Sequence, residues 1–226
     1  MGAAYLGDSR MMARRDTKAA IVEVALRLFA ERGYEGVGVR DIAEAVGIQP
    51  ASLYKHYAGK QAIFDAVVER MNAAYDDLVL KLQMPDGMVP AGATSQLAEG
   101  YATLPPGAIE AMSVAMFRYW TEDEHAVSFR HLLVMEQYRN PAIGRLYRSY
   151  FMEKPLEHQA KLFAEMMRVG YFKQSDARLM AIEFFSPILL LMVAADGCES
   201  AAERDEIADC VRAYVERFGR MHAREG

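Results

Sequence analysis

Apolar positions in this chain recur mostly every three or four residues, the spacing that lines them up on one side of an α-helix. From Asp16 or Thr17 to Arg32 they fall at Ile21, Val24, Ala25, Leu28 and Phe29, with Gly33 as a stop. Residues 1–13 show no period and are expected to form a disordered arm. Val39, Ile42, Ala43 and Val46 mark a shorter helix that ends at Gly47, and another short helix opens at Pro50 and Ala51. Gly47 suits a turn that needs positive φ; Pro50 suits a first helical turn, where no hydrogen bond is asked of its nitrogen. A long helix is predicted from Lys60 to about Leu82, with Ile63, Val67, Met71, Ala74, Leu78 and Leu82 on its stripe. At 1.5 Å per residue it spans roughly 30 Å. Pro85, Gly87, Pro90 and Gly92 then break the pattern, and residues 83–94 are read as a loop. Further helices are predicted at about 95–102, 106–120, 123–138, 141–169, 176–197 and 201–222, with a kink at Pro155. No alternating strand pattern stands out, so the expected fold is all-α. A small N-terminal domain is expected over 14–60 and a larger helical body over 61–226.

The helix, turn and helix over Val39–Tyr57 carry the chemistry that stands out. After Leu53, which is expected to be buried, the second helix presents Ser52, Tyr54, Lys55, His56 and Tyr57. No acid lies between Glu44 and Asp65. Donors of this kind suit phosphates and base edges, and a DNA major groove admits one α-helix. The segment is therefore read as a DNA-recognition helix, against the plainer alternative of a solvated helix beside a core turn. Arg40, Gln49, Pro50, Ala51, Ser52, Tyr54, Lys55, His56, Tyr57 and Lys60 are the expected DNA-contacting residues.

Neighbouring positions extend the pattern: Ala25, Leu28, Phe29, Gly33 and Tyr34 ahead of it, Val39–Ala45, Gly47-Ile48, Leu53-Tyr54 and His56-Tyr57 within it, and Lys60 behind. On these residues, over about 14–75, the chain resembles the N-terminal domain of tetracycline-repressor-type (TetR family) regulators. The resemblance implies a three-helix, helix-turn-helix DNA-binding domain followed by a larger helical domain for ligand binding and dimerisation. It implies a dimer on a pseudo-palindromic operator, released by a small effector, most often as a repressor. Several positions depart from the family pattern. Val37 and Gly38 stand where hydroxyl residues are usual, so Arg40 is the expected phosphate ligand there. Gln49 replaces a serine cap, and Gly59 and Gln61 replace a capping box.

Charge is divided along the chain. Its net value is −5, yet residues 1–60 hold nine basic against seven acidic side chains and the rest seventeen against twenty-four. A weakly basic head on an acidic body keeps non-specific attraction to nucleic acid at one end. Arg10, Arg14, Arg15 and Lys18 are further phosphate or minor-groove candidates. The two cysteines, Cys198 and Cys210, form no CxxC motif, which points to structural thiols in a reducing compartment. The N-terminus lacks a signal-peptide core, and the greasy run Phe184–Ala195 is read as too short to span a bilayer. A cytoplasmic protein with no membrane partner is expected.

The last two predicted helices are apolar in different ways: the first on more than one side, the second along one stripe. Ile182, Phe185, Leu189, Val193, Ile207, Val211, Tyr214 and Phe218 are the expected dimer interface, with a monomer core as the alternative. Fifteen methionines, gathered in the body with aromatic residues, suggest a deformable cavity for an apolar or amphipathic effector. Its expected lining is Met112, Met116, Trp120, Phe129, Met135, Tyr138, Tyr147, Phe151, Phe163, Met166 and Met167. No cofactor, metal site or catalytic set is expected: GxSxG, P-loop and HExxH motifs are absent, and Glu122, Asp123 and Glu124 read as a helix N-terminus. A helical adaptor that binds protein partners is the alternative function.

Overall fold

The computed structural model describes residues 3–81 and 107–224. The predicted loop over 83–94 and helix over 95–102 lie outside the described residues.

Helix α1 spans Ala3–Arg32, so it includes residues 3–13 of the arm expected to be disordered. Ile21, Val22, Ala25, Leu26, Leu28 and Phe29 are buried on its inner side. It ends at Gly33, whose φ of 76° lets the chain turn while its N–H still reaches Phe29 O at 2.9 Å. Helix α2 spans Val39–Val46, α3 Pro50–Leu53 and α4 Lys60–Lys81. The absent side chain at the α2 cap, Gly38, is offset from the other direction: the Asp41 carboxylate accepts the Gly38 N–H at 2.6 Å. α1 packs against α2 and α4, and α2 against α3, over a core that includes Ile42, Ala43, Leu53, Ile63 and Val67.

The body follows as α5 (Ala108–Glu122), α6 (Glu124–Glu136), α7 (Pro141–Arg148), α8 (Lys154–Arg168), α9 (Ala177–Ala195) and α10 (Ala201–His222). Asp123 caps α6, its carboxylate accepting the N–H groups of His125 and Ala126 at 3.1 and 2.9 Å. The predicted continuous helix over 141–169 is two helices joined by a π-helical turn at Ser149–Glu153, where Lys154 N–H reaches back five residues to Ser149 O. Pro155 follows at once. Its ring crowds the carbonyl four residues back, and the wider turn relieves that crowding. α9 runs unbroken through Pro187, which leaves Glu183 O without its helical donor. The Tyr214 hydroxyl of α10 supplies a replacement at 2.5 Å.

Two cores result. The larger runs from Ile21 in the head through Val67 and Met71 to Phe129, Phe151 and Val211, so head and body share it. The smaller gathers Met112, Leu162, Phe163, Met166, Met167, Phe172, Met180 and Phe218.

Candidate nucleic-acid interface

Two buried anchors, Leu53 and Tyr57, fix the recognition segment, and the helical bonding carries on past α3: Tyr57 N–H reaches Leu53 O at 3.1 Å. With those two facing in, the same turn must present the residues between them outward. Gln49, Ala51, Tyr54 and Lys55 are exposed, Tyr54 by 56%, while Pro50, Ser52 and His56 are half-buried. Arg40 is exposed on α2. Of the exposed residues, Arg40, Gln49, Tyr54 and Lys55 carry side-chain donors, and no acid lies between Glu44 and Asp65.

Two expected DNA contacts are corrected. Tyr57 is 7% exposed, with its hydroxyl donating to Lys18 O at 3.4 Å and the Lys18 ammonium 5.3 Å from its ring centre. Burial, then the Glu69 charge, pushes the pKa of this phenol up, so it stays protonated. Lys60 is held within the head. Its ammonium donates to Tyr34 O at 2.9 Å, pairs with Glu35 at 3.4 Å and lies 4.3 Å from the Tyr34 ring centre. It thus clamps the start of α4 to the end of α1, and its charge is largely spent inside the subunit.

The head meets the body along α6. Arg70 of α4 pairs with Glu23 of α1 at 3.7 Å and contacts His125 Nε2 of α6 at 3.1 Å. A guanidinium can only donate, so that ring nitrogen is the acceptor. A cleft of about 180 Å³ opens beside it, lined by Glu23, Val24, Leu26, Arg27, Glu124, His125 and Ser128. At the other end of α6 the Glu136 carboxyl, 2% exposed, presses against Gly33. Between them Arg130, 3% exposed, forms a bidentate pair with Asp196 at 2.5 and 2.7 Å and donates to Trp120 O at 3.0 Å. Burial pushes the Asp196 carboxyl up, but hydrogen bonds and charge from Arg130 and His131 outweigh it and hold the group well below the usual carboxylate range.

The expected effector lining does not form one set. Trp120, Phe129 and Phe151 are buried in the larger core with Met116 and Tyr147 against it, whereas Met112, Phe163, Met166 and Met167 belong to the smaller core. Met135 and Tyr138 are exposed by 45% and 88%, because they sit on the outer side of α6 and just beyond its end. They are withdrawn from that lining. Tyr75, Tyr119 and Tyr150 surround Trp120. Tyr75 falls outside the α4 stripe as the sequence pattern draws it, one residue past Ala74.

The expected subunit face also divides. On α9, Ile182 and Val193 are exposed by 40% and 61%, together with Leu179 at 64% and Leu190 at 68%. Phe185, Leu189, Ile207 and Tyr214 are half-buried. Val211 and Phe218 point inward, at 0% and 4%, and are core: the single stripe of α10 is taken up by α5 and α9. α9, with 19 residues, is by length and composition apolar enough to cross a membrane, a test that the core helix of a soluble protein also passes. Its inner side packs on α5, α8 and α10.

Comparison with known proteins follows this geometry. Residues 21–67 match the family of bacterial regulatory proteins, tetR family. The HTH-type transcriptional repressor KstR2 of Rhodococcus jostii is 34% identical over 112 residues, which cover 49% of this chain and 52% of the relative. The chain thus spans about half the length of that curated relative. Among solved structures, a bacterial regulatory protein in the tetR family from Rhodococcus RHA1 superposes with a TM-score of 0.57 at 18% identity, over 93% of this chain and 98% of the other. SmeT, solved as a triclosan complex, superposes with a TM-score of 0.63 at 15% identity over 93% of each chain.

Proposed function

We propose, from the membership of residues 21–67 in the tetR family of bacterial regulatory proteins, that the whole chain is a cytoplasmic, dimeric transcriptional repressor whose grip on DNA responds to a small ligand. The observation that carries this reading is the outward set Gln49, Ala51, Tyr54 and Lys55 over the buried anchors Leu53 and Tyr57. A short helix stiffly seated on a shared core, with acid-free donors on its outer side, fits a major groove. Tyr54 and Arg40 are suited to phosphates, and Gln49, Ala51 and Lys55 to base edges. Residues 14–60 would form the DNA-binding unit and 61–226 the effector-binding and dimerisation unit.

A second copy of the chain is the proposed cover for Leu179, Ile182, Leu190 and Val193. Two-fold pairing along α9 would give a self-complementary contact and two recognition helices for one pseudo-palindromic site. The ligand is a small apolar or amphipathic molecule, held in the body beside α4. It releases DNA only through different affinity for the DNA-competent and DNA-incompetent arrangements, a coupling of about 1–3 kcal/mol in typical cases. The route from body to head is α4 together with α6, which grips α1 through Glu136 at Gly33 and α4 through His125 at Arg70.

Selection of bound sequences from random duplex DNA tests the reading. A two-fold symmetric consensus is the expected result. Recovery of no sequence, with no retardation of any duplex at low salt, would leave the helical adaptor as the better account.

A further inference from the structure

Four rings gather where α4, α5 and the π turn meet. Trp120 lies 5.1 Å from Tyr119, 6.2 Å from Tyr75 and 6.3 Å from Tyr150, between ring centres, and Tyr75 lies 6.5 Å from Tyr119. This cluster differs from the smaller core, which is built of Met, Leu and Phe, in carrying phenol oxygens. Tyr150 donates to Asn72 Oδ1. The Tyr119 hydroxyl is buried with no hydrogen-bond partner among the described residues, and a buried donor-acceptor left open is destabilising unless something fills it.

The charged side chains that act on the three phenols are acidic, while Arg130 meets the cluster only at the Trp120 carbonyl. Burial pushes the pKa of the Tyr75 phenol up, and Asp76 adds to it. Tyr150 is pushed up to about 12 by burial and then by Asp76, and Tyr119 is pushed up by burial and then by Asp123. Asn72 and Asp76 are exposed on α4, so the acidic side of the cluster opens to solvent. Electron-rich ring faces, an unmatched hydroxyl and an acidic mouth are complementary to one kind of group.

We propose that Tyr75, Tyr119, Trp120 and Tyr150, with Asp76 at the mouth, bind the ammonium head of an organic amine, one of whose N–H groups donates to the Tyr119 oxygen. This rests on the ligand-responsive reading above and names its ligand class: an amphipathic amine with its apolar part toward Phe151. Ring faces attract the cation, Asp76 draws it in, and the Tyr119 oxygen finds its donor.

The chain has one tryptophan, so emission from Trp120 reports on the site directly. The full chain is titrated with benzylammonium chloride and, separately, with benzyl alcohol, its neutral near-isostere. A saturable emission change with the amine, and binding at least about fivefold weaker with the alcohol, is the expected result. Asp76→Asn should weaken the amine about threefold, as loss of one exposed charge does, without altering the fold. Tyr119→Phe should weaken the amine more than the alcohol, because a charged N–H donor makes the stronger bond to that oxygen. Equal binding of amine and alcohol, or no saturable change with the amine, overturns the proposal. A selected operator duplex in the same titration separates the two levels. Amine binding without DNA release overturns the effector role, whereas failure of the unliganded chain to bind any duplex overturns the regulator reading and leaves the amine site standing.

Discussion

Replacing Gly33 by alanine probes the seam between head and body at one atom. Two costs arise. At φ 76° a side chain is in the left-handed region, which costs about 1–2 kcal/mol. The new Cβ would also stand 2.5 Å from Glu136 Oε1. That carboxyl belongs to a residue only 2% exposed, so it has little room to give, and overpacking of this kind costs about 1–3 kcal/mol more. Gly47 isolates the first cost, because its φ is 77° and nothing lies within 4 Å of a Cβ there. In thermal melts followed by circular dichroism, Gly47→Ala should lower Tm by roughly 3–6 °C and Gly33→Ala by roughly 6–15 °C for a chain of this size. In a Glu136→Ala background the Gly33 change should fall to the Gly47 value, since only the left-handed backbone cost remains. Equal losses from the two glycines, or an excess at Gly33 that survives removal of Glu136, would refute the contact.

Other perturbations divide roles that a sequence pattern merges. Arg40→Ala should reduce the dependence of log affinity on log salt by about one phosphate contact, whereas Lys60→Ala should leave that slope unchanged and lower the melting temperature, because its ammonium is bound to Tyr34 O. Leu190→Glu should dissociate the dimer in sedimentation runs while the subunit stays folded, its side chain being 68% exposed. Phe218→Ala should cost about 3–5 kcal/mol in urea unfolding as a core deletion. Asp196→Asn should cost about 1–3 kcal/mol near neutral pH, with allowance for partial exposure. The depressed Asp196 carboxyl contributes stability that is full above the ordinary carboxylate range, about pH 4, and is lost as pH falls toward the folded value. The variant should therefore lose less stability than the parent as pH falls below about 4.

Helix phase was legible in the sequence because apolar spacing is local, and the outward set on the recognition segment follows from Leu53 and Tyr57 facing in. Acidic residues at 122–124 revealed a helix start for the same reason, and Asp123 is the cap. What pattern alone does not supply is which element covers which face. Lys60 resembles a phosphate ligand until the Tyr34 carbonyl, 26 positions away, is seen to hold it. Val211 and Phe218 have the same spacing as an exposed interface stripe, and only the packing of α5 and α9 turns them into core. Leu179 and Leu190 stay outside because α9 offers more apolar sides than its neighbours can cover. Glu136 and Arg130, both buried, carry no periodic signal at all: their burial depends on Gly33 and Asp196 from distant helices. Proline was read as a kink at 155, but at 187 its orphaned carbonyl is repaired by Tyr214, and α9 does not break.

The wide turn at Ser149–Glu153 has a consequence for how this body can vary. Adding one residue to a helical turn rotates everything downstream by roughly 100° about the axis. Without that offset, Phe151 and Leu162 would share one side, and the rod would feed a single interior. With it, Tyr147 and Phe151 contribute to one compartment and Leu162, Phe163 and Met166 to the other. The compartment around Trp120 can therefore exchange side chains while the packing under Phe163 keeps its own shape.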